Sequence, residues 1–444
     1  MSRTHAQTVA ELQSRWPEHR VAPSLARVQA LCDLLGSPER ACPVILVAGT
    51  NGKGSTALMI DSLLRSLGLR VGRYASPHLV DVTERISIDG EPVSADAFDE
   101  LVEQVLPLVR LVDEQRIEGV EMTFFEVMTA LAYAAFADAP VDVAVVEVGL
   151  GGTWDATNVA QAQVAVVCPI DLDHTHLLGD TVGEIAAEKA GIIKAGAKAV
   201  LAAQPPEAAT VLLARCAEVG AEVRREGMEF GLIDRTPAVG GQVLRLETAE
   251  GPLGDLVLPL FGAHMAQNAA LAVAAAEAFL GDRPLPAEVI AEGLEQVRAP
   301  ARLEVVRRSP TVVLDTCHNP HGARATIAGI TEAFDFNPLI GVVAMMADKD
   351  VDGMLAILGD AMSTIVCTSI ASTDRALPAA ALGERAAGIV GEDRVVVAAN
   401  MAQAIDEAVR LADEAGPGAG VLVAGSVYAA GEARALLVRQ REES

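Results

Sequence analysis

Seven consecutive residues, Gly49-Thr50-Asn51-Gly52-Lys53-Gly54-Ser55, follow the apolar run Val44–Ala48 and lead into a helix-forming stretch, Ser55–Leu67. Glycines let a backbone turn tightly and aim its N–H groups inward. A helix N-terminus adds positive dipole, and Lys53 adds a point charge. These are the needs of a nucleoside triphosphate. The spacing departs from the strict Walker pattern, because Gly54 separates Lys53 from the hydroxyl of Ser55. A Gly-rich turn with an incidental lysine is the alternative. Strand, glycines, lysine, hydroxyl and helix in that order count against it. The guanine-reading Asn-Lys-x-Asp pattern is missing, since its nearest string, Ala347-Asp348-Lys349-Asp350, lacks the asparagine. ATP is the expected nucleotide.

Two further segments carry groups that could act on a phosphate. Glu147 ends the otherwise apolar run Val143–Val148 and precedes Gly149-Leu150-Gly151-Gly152. A carboxylate at the C-terminal end of a parallel strand sits where α/β folds bind ligands, and beside a phosphate loop it would ligate Mg²⁺ or orient metal-bound water. A helix cap or edge residue is the alternative. Asp171-Leu172-Asp173-His174-Thr175-His176 follows another apolar run. Its sixth position is histidine and no glutamate closes it at Val182, so it is no EF-hand. A His-x-His metal site and structural histidines both remain open. Lys189 falls late in Val182–Ala190, just before Gly191, where a solvated surface lysine is the plain reading.

The elements that must position these groups alternate. Short β-branched runs at Val44–Ala48, Val143–Val148, Val164–Cys168 and Ala199–Ala203 interleave with helical stretches such as Phe124–Phe136. A second series runs through Val312–Asp315, Leu339–Met345, Thr364–Thr368, Arg394–Ala398 and Val421–Ala424. Such alternation predicts parallel sheets covered by helices. Val223–Leu260 differs and reads as a small antiparallel patch. Ser76–Pro92 reads as a long polar loop. A break near Val297–Arg302 predicts two α/β domains, 1–298 and 299–444. The first is a P-loop ATPase-like domain with a parallel sheet plus the antiparallel patch; the second is Rossmann-like.

Composition narrows the partners. Sixty acidic residues against 34 basic ones give a net charge of −26, which disfavours nucleic acid and anionic membranes. The six cysteines form no C-x-x-C pair, which fits free thiols in a reducing cytoplasm. Met1 to Arg20 has no apolar signal core, and the run Asn268–Leu280 is too short to span a bilayer. A cytoplasmic monomer acting on small molecules is expected.

Taken together, the motifs resemble the folylpolyglutamate synthase/dihydrofolate synthase family, relatives of the Mur ligases. The matching strings are G-T-N-G-K-G-S at 49, S-P-H-L at 76, E-R-I at 84, T-F-F-E at 123, E-V-G-L-G-G-x-x-D-A-T-N at 147 and D-H-T-x-x-L-G at 173. They continue with E-K-A-G-I-I-K at 188, H-x-x-Q-N-A at 264, D-x-x-H-N-P at 315 and G-S-V-Y at 425, in family order. The resemblance implies that Gly49 to Ser55, with Asn268, Arg302 and Asp315, contact ATP from both sides of a cleft. It implies that Ser76, Glu147 and His174 ligate Mg²⁺, with two sites expected, and that Lys189 is carbamylated. It implies that His318 and Ser426 handle the incoming glutamate and nearby phosphate, and that Phe125 and Asp155 lie near a pterin.

The implied reaction joins L-glutamate to dihydropteroate, to a reduced folate, or to both in one bifunctional chain of folate and one-carbon metabolism. ATP phosphorylates the carboxylate, and the glutamate amine displaces phosphate. Arg302 would reach the nucleotide when the domains close. A Mur-type ligase acting on a nucleotide-sugar peptide is one rival, although no domain of ~100 residues precedes Gly49. A nucleotide-binding protein without ligase turnover is the other. One departure from the family pattern is Pro300-Ala301-Arg302, where glycine is usual at the centre. Alanine resists positive φ, so an altered local geometry is expected.

Overall fold

Every residue of β1 (Val44–Ala48) is buried, as expected of a strand covered on both faces. In the computed structural model, which describes residues 3–17 and 22–442, this strand sits inside an eight-stranded sheet. Its other members are β2 (Val71–Tyr74), β3 (Ile86–Ile88), β4 (Glu91–Pro92), β5 (Val143–Glu147), β6 (Ala162–Val167), β7 (Lys198–Leu201) and β8 (Glu222–Arg225). The order is β4-β3-β2-β5-β1-β6-β7-β8. All pairings are parallel except β2 with β3 and β3 with β4. The C-terminal ends of β1, β5 and β6 therefore lie side by side, and each of the three chemistry-bearing loops leaves from one of them.

Two expectations are corrected. Ser76–Pro92 is not loop throughout: a 3-10 turn at Val82–Arg85 and the strands β3 and β4 occupy it. The polar look of the stretch comes from its turn residues and from β4, the exposed edge strand; β3, one place in, is mostly buried. The proposed antiparallel patch begins later than residue 223, because β8 pairs in parallel with β7. Only β9 (Gly231–Ala238), β10 (Gly241–Thr248) and β11 (Gly251–Leu258) form the separate sheet, in the order β11-β10-β9. Two-residue connections join them, which only antiparallel pairing allows. Of the polar N-terminal stretch, residues 1–2 and 18–20 lie outside the described residues.

The chain divides into two compact units. The first holds residues 1–234, 244–257 and 266–297. Several of its helices start at side-chain caps. Thr123 receives the N–H of Glu126, and Glu126 returns a bond to the N–H of Thr123. Arg27 is 1% exposed and clamps the Glu126 carboxylate, fixing the start of Phe124–Asp138. Breaking that pair from one side costs about 3–5 kcal/mol.

The second unit holds residues 235–243, 258–265 and 298–444. Its six strands are β12 (Arg302–Arg308), β13 (Thr311–Asp315), β14 (Leu339–Val343), β15 (Thr364–Cys367), β16 (Val395–Val397) and β17 (Gly420–Ala424). They run β12-β13-β17-β14-β15-β16, parallel except for the antiparallel edge pair β12 with β13. Alanine's resistance to positive φ does not prevail at residue 301. Ala301 keeps a left-handed φ of 53° while fully buried, and its N–H is held by the Glu304 carboxylate at 2.8 Å. Surrounding structure overrides the alanine preference. Among the described residues no helix is long and apolar enough to cross a membrane.

Candidate active site

The phosphate loop is the turn between β1 and the helix Lys53–Ser66. Gly52 caps that helix with φ 90°, a conformation L side chains avoid, and no side chain caps the first turn. Its backbone donors are thus built to meet an anion. A methyl at Gly52 would stand 2.8 Å from Asn268 Oδ1, which places the Asn268 amide directly over the turn. Thr50 ties the loop sideways: its hydroxyl donates to Asp171 O at 2.9 Å and accepts the N–H of Asp171 at 3.1 Å.

Two lysines converge on one carbonyl. Lys53 Nζ donates to Gly49 O and Thr50 O, both at 3.2 Å, and Lys189 Nζ donates to Gly49 O at 2.9 Å. Lys189 is 4% exposed, so the solvated-surface reading fails. Burial drives its amine down to about 7, and the nearby Lys53 charge pushes the same way.

Glu147, 6% exposed, ends β5 one strand away. Its carboxylate lies against Gly54, where an added methyl would sit 3.4 Å from Oε2. The N–H of Ser76 donates to the same oxygen at 3.2 Å. Ser76 and Glu147 are therefore together at the phosphate loop. His174 sits past β6 with φ 52°, and its ring nitrogen Nε2 is 3.8 Å from Asp173. Among the described residues no three His, Cys, Asp or Glu side chains form a ready metal cluster. One carboxylate beside a phosphate loop still suits Mg²⁺, which takes one or two protein carboxylates and completes its shell with phosphates and water.

The Gly149–Gly152 turn links this end to the expected pterin end. Phe125 lies on Gly149, where a methyl would fall 2.4 Å from the ring. Asp155 is 3% exposed and braces its own loop: its carboxylate accepts from the N–H of Leu150 at 2.8 Å and of Thr157 at 3.0 Å, and from the Thr157 hydroxyl. Burial raises its carboxyl against those bonds.

The second unit carries its own cluster. Asp315 Oδ1 accepts from the Cys317 N–H at 2.9 Å and the Thr326 hydroxyl at 2.7 Å, and Oδ2 accepts from the Leu303 N–H at 3.1 Å. Arg302 donates to Thr316 Oγ1. His318 Nδ1 is 3.3 Å from Thr316 O, and Ser426, 2% exposed, accepts from the Tyr428 N–H at 3.2 Å. Cys317 is buried and its thiol is pushed up to about 12, so it packs rather than reacts.

Sequence reasoning missed two groups here. His264, half-buried near Asp315, Arg302, His321 and Arg235, has its imidazole held below its ordinary range by desolvation. The H-x-x-Q-N-A string contained it without a role. Arg73 on β2 is half-buried beside Asp61 and feels the Glu147 charge, its guanidinium held below the ordinary value by desolvation. No spacing in the sequence marks it.

The chain is similar to known proteins over most of its length. The Mur ligase middle domain model matches residues 47–276, and the Mur ligase glutamate ligase domain model matches residues 301–427. The dihydrofolate synthase/folylpolyglutamate synthase of Mycobacterium tuberculosis is 47% identical over 452 residues, covering 96% of this chain and 93% of that protein. The folylpolyglutamate synthase of Lacticaseibacillus casei is 36% identical over 378 residues, covering 85% of this chain and 88% of its own length. The solved structure of Mycobacterium tuberculosis folylpolyglutamate synthase complexed with ADP superposes with a TM-score of 0.94 at 47% identity, covering 98% of each chain. The nucleotide-sugar and turnover-free alternatives lose their ground against matches of this extent. The chain belongs to the dihydrofolate synthase/folylpolyglutamate synthase family of the Mur ligase superfamily.

Proposed function

We propose that this protein is an ATP-dependent ligase that joins L-glutamate by an amide bond to dihydropteroate, to a reduced folate, or to both. The observation that carries the reading is the convergence of Lys53 and buried Lys189 on Gly49 O, beside the Glu147–Ser76 pair. A carboxylate is a poor electrophile with no leaving group. Its oxygen attacks the γ-phosphorus, ADP departs, and an acyl phosphate remains. The glutamate nitrogen then attacks the acyl carbon, phosphate leaves, and the amine loses a proton. The protein's work is positioning and neutralising spread charge.

The backbone of Gly49 to Ser55 and the Lys53 ammonium hold the phosphates, with Asn268 over the turn. Ser76, Glu147 and His174 would hold Mg²⁺, which supplies charge neutralisation at the transferring phosphoryl group. The half-neutral Lys189 amine is suited to adding to CO₂, releasing a proton and leaving a carbamate anion at a second metal position. Phe125 packs toward the pterin, and Asp155 shapes the turn it rests on. Arg302 and Asp315 serve the nucleotide, and His318 and Ser426 serve the glutamate and the phosphate. We assign the chain to the cytoplasm as a monomer, in two working parts at 1–298 and 299–444.

The test is phosphate release by purified protein with Mg-ATP and L-glutamate. Parallel reactions contain dihydropteroate, a reduced folate, or neither. Release with both acceptors defines a bifunctional enzyme, and release with one alone defines the single activity. No release in any tube, with ADP binding confirmed, refutes the proposal.

A further inference from the structure

The string Glu84-Arg85-Ile86 accompanies the phosphate loop in the sequence but has no part in the chemistry above. Its two charged side chains both turn back on the segment that carries Ser76. The Glu84 carboxylate collects three successive backbone N–H groups: Leu79 at 2.8 Å, Val80 at 3.1 Å and Asp81 at 3.0 Å. Arg85 Nε–H donates to His78 Nδ1 at 2.9 Å, which requires the ring hydrogen on Nε2. The Arg85 carbonyl accepts the N–H of Ala75 at 3.0 Å. Residues 75 and 78–81 are thus bonded on both sides of Ser76. The other face of Arg85, 1% exposed, rests on Phe124, with the guanidinium carbon 5.1 Å from the ring centre. Phe124 directly precedes Phe125.

A guanidinium taken out of water is expensive, and it is kept where its bonds fix something. Resting on the proposed site chemistry, we infer that Arg85 is a positioning residue: acting through His78, it holds the Ser76 segment against Glu147 and seats that segment on the helix carrying Phe125. Glu84 fixes the remainder of the same segment. The nucleotide and metal end of the site and the start of the Phe124–Asp138 helix are thereby one rigid piece.

Backbone hydrogen exchange over residues 76–81 in the free protein reads the brace directly. Calorimetric ADP binding with Mg²⁺ and with chelator reads its effect. His78→Ala and Arg85→Lys each remove the bond; the lysine keeps the charge over Phe124 but lacks the Nε–H. Each is expected to speed exchange over 76–81. Each is also expected to weaken Mg²⁺-dependent ADP binding about tenfold, the usual effect of losing an outer-shell support. Binding in chelator is expected to stay unchanged. His78→Asn, whose amide oxygen can accept from Arg85, restores both readouts. The double variant falls short of the sum of the two single effects, because both cut the same bond. If Arg85→Lys fails to fold, His78→Ala reads the bond from the other side. Wild-type exchange and wild-type Mg²⁺-dependent binding in His78→Ala overturn the inference. If wild-type protein binds ADP equally with and without Mg²⁺, the metal assignment fails, and exchange over 76–81 alone then decides for or against the brace.

Discussion

Replacing Lys189 with methionine is expected to abolish turnover and stabilise the protein. The amine sits at about 7 when folded, against an ordinary 10.5. Near pH 7.5 the unfolded chain carries this lysine protonated, so folding must strip the proton at a cost of about 4 kcal/mol. Its bond to Gly49 O returns about 1 kcal/mol. Methionine fills a similar volume without either effect, so Lys189→Met gains about 3 kcal/mol. The sign of the pH dependence follows. The folded value is depressed, so wild-type stability rises with pH from about 7 to about 10.5 and is lost as pH falls toward 7. The variant lacks that rise, and the gap is widest at and below neutrality. Urea unfolding in bicarbonate-free buffer, followed by the fluorescence of Trp16 and Trp154, measures it; both tryptophans belong to the first unit. A variant less stable than wild type at neutral pH, or a gap that does not close as pH rises, refutes the buried-amine argument. Full turnover in the variant refutes the catalytic one.

Other outcomes follow from the same geometry. At a fixed concentration of dissolved CO₂, activation of CO₂-depleted enzyme should be faster at higher pH, because the neutral amine, at about 7 in the fold, grows from roughly a tenth near pH 6 to roughly nine tenths near pH 8; a flat profile removes Lys189 from the reaction. Gly149→Ala places a methyl on the Phe125 ring and should raise KM for the pterin-bearing acceptor ten- to hundredfold, by displacement of about an ångström, leaving ADP binding intact; an unchanged KM separates Phe125 from the acceptor. Arg302→Ala should lower kcat sharply with the thermal transition preserved, and normal kcat defeats its assignment. Asp155→Asn should lower stability by about 1–3 kcal/mol through lost acceptors, as read by urea unfolding, and no loss would mean the loop holds itself.

What the sequence made legible was whatever repeats with a period or sits in an unbroken string. Val44–Ala48 is apolar at every position because it is buried at every position, and the glycines after it announced a turn. The same logic failed at the sheet edge. Ile86–Ile88 is three residues long and Glu91–Pro92 two, too short for alternation to show. Val223 was read with the wrong sheet because β8 resembles its antiparallel neighbours in composition; only pairing with β7 distinguishes it. Lys53, inside a glycine-rich string, lies where the string predicts, at the turn between β1 and its helix. The surroundings of Arg73 and His264 are not legible, since they arise from neighbours distant in sequence, such as Glu147 for the one and Asp315 for the other. Lys189 shows the limit best: its surroundings, not its spacing, turn a common surface residue into a buried amine.

The tie between Thr50 and Asp171 sets unequal evolutionary latitude at its two ends. Thr50 contributes its side-chain oxygen, whereas residue 171 contributes only backbone N–H and C=O. Any residue but proline can occupy position 171 without loss of the tie. Position 50 admits serine or threonine and nothing else. As far as the tie goes, drift is therefore open at one end and closed at the other, even though the two residues form a single joint.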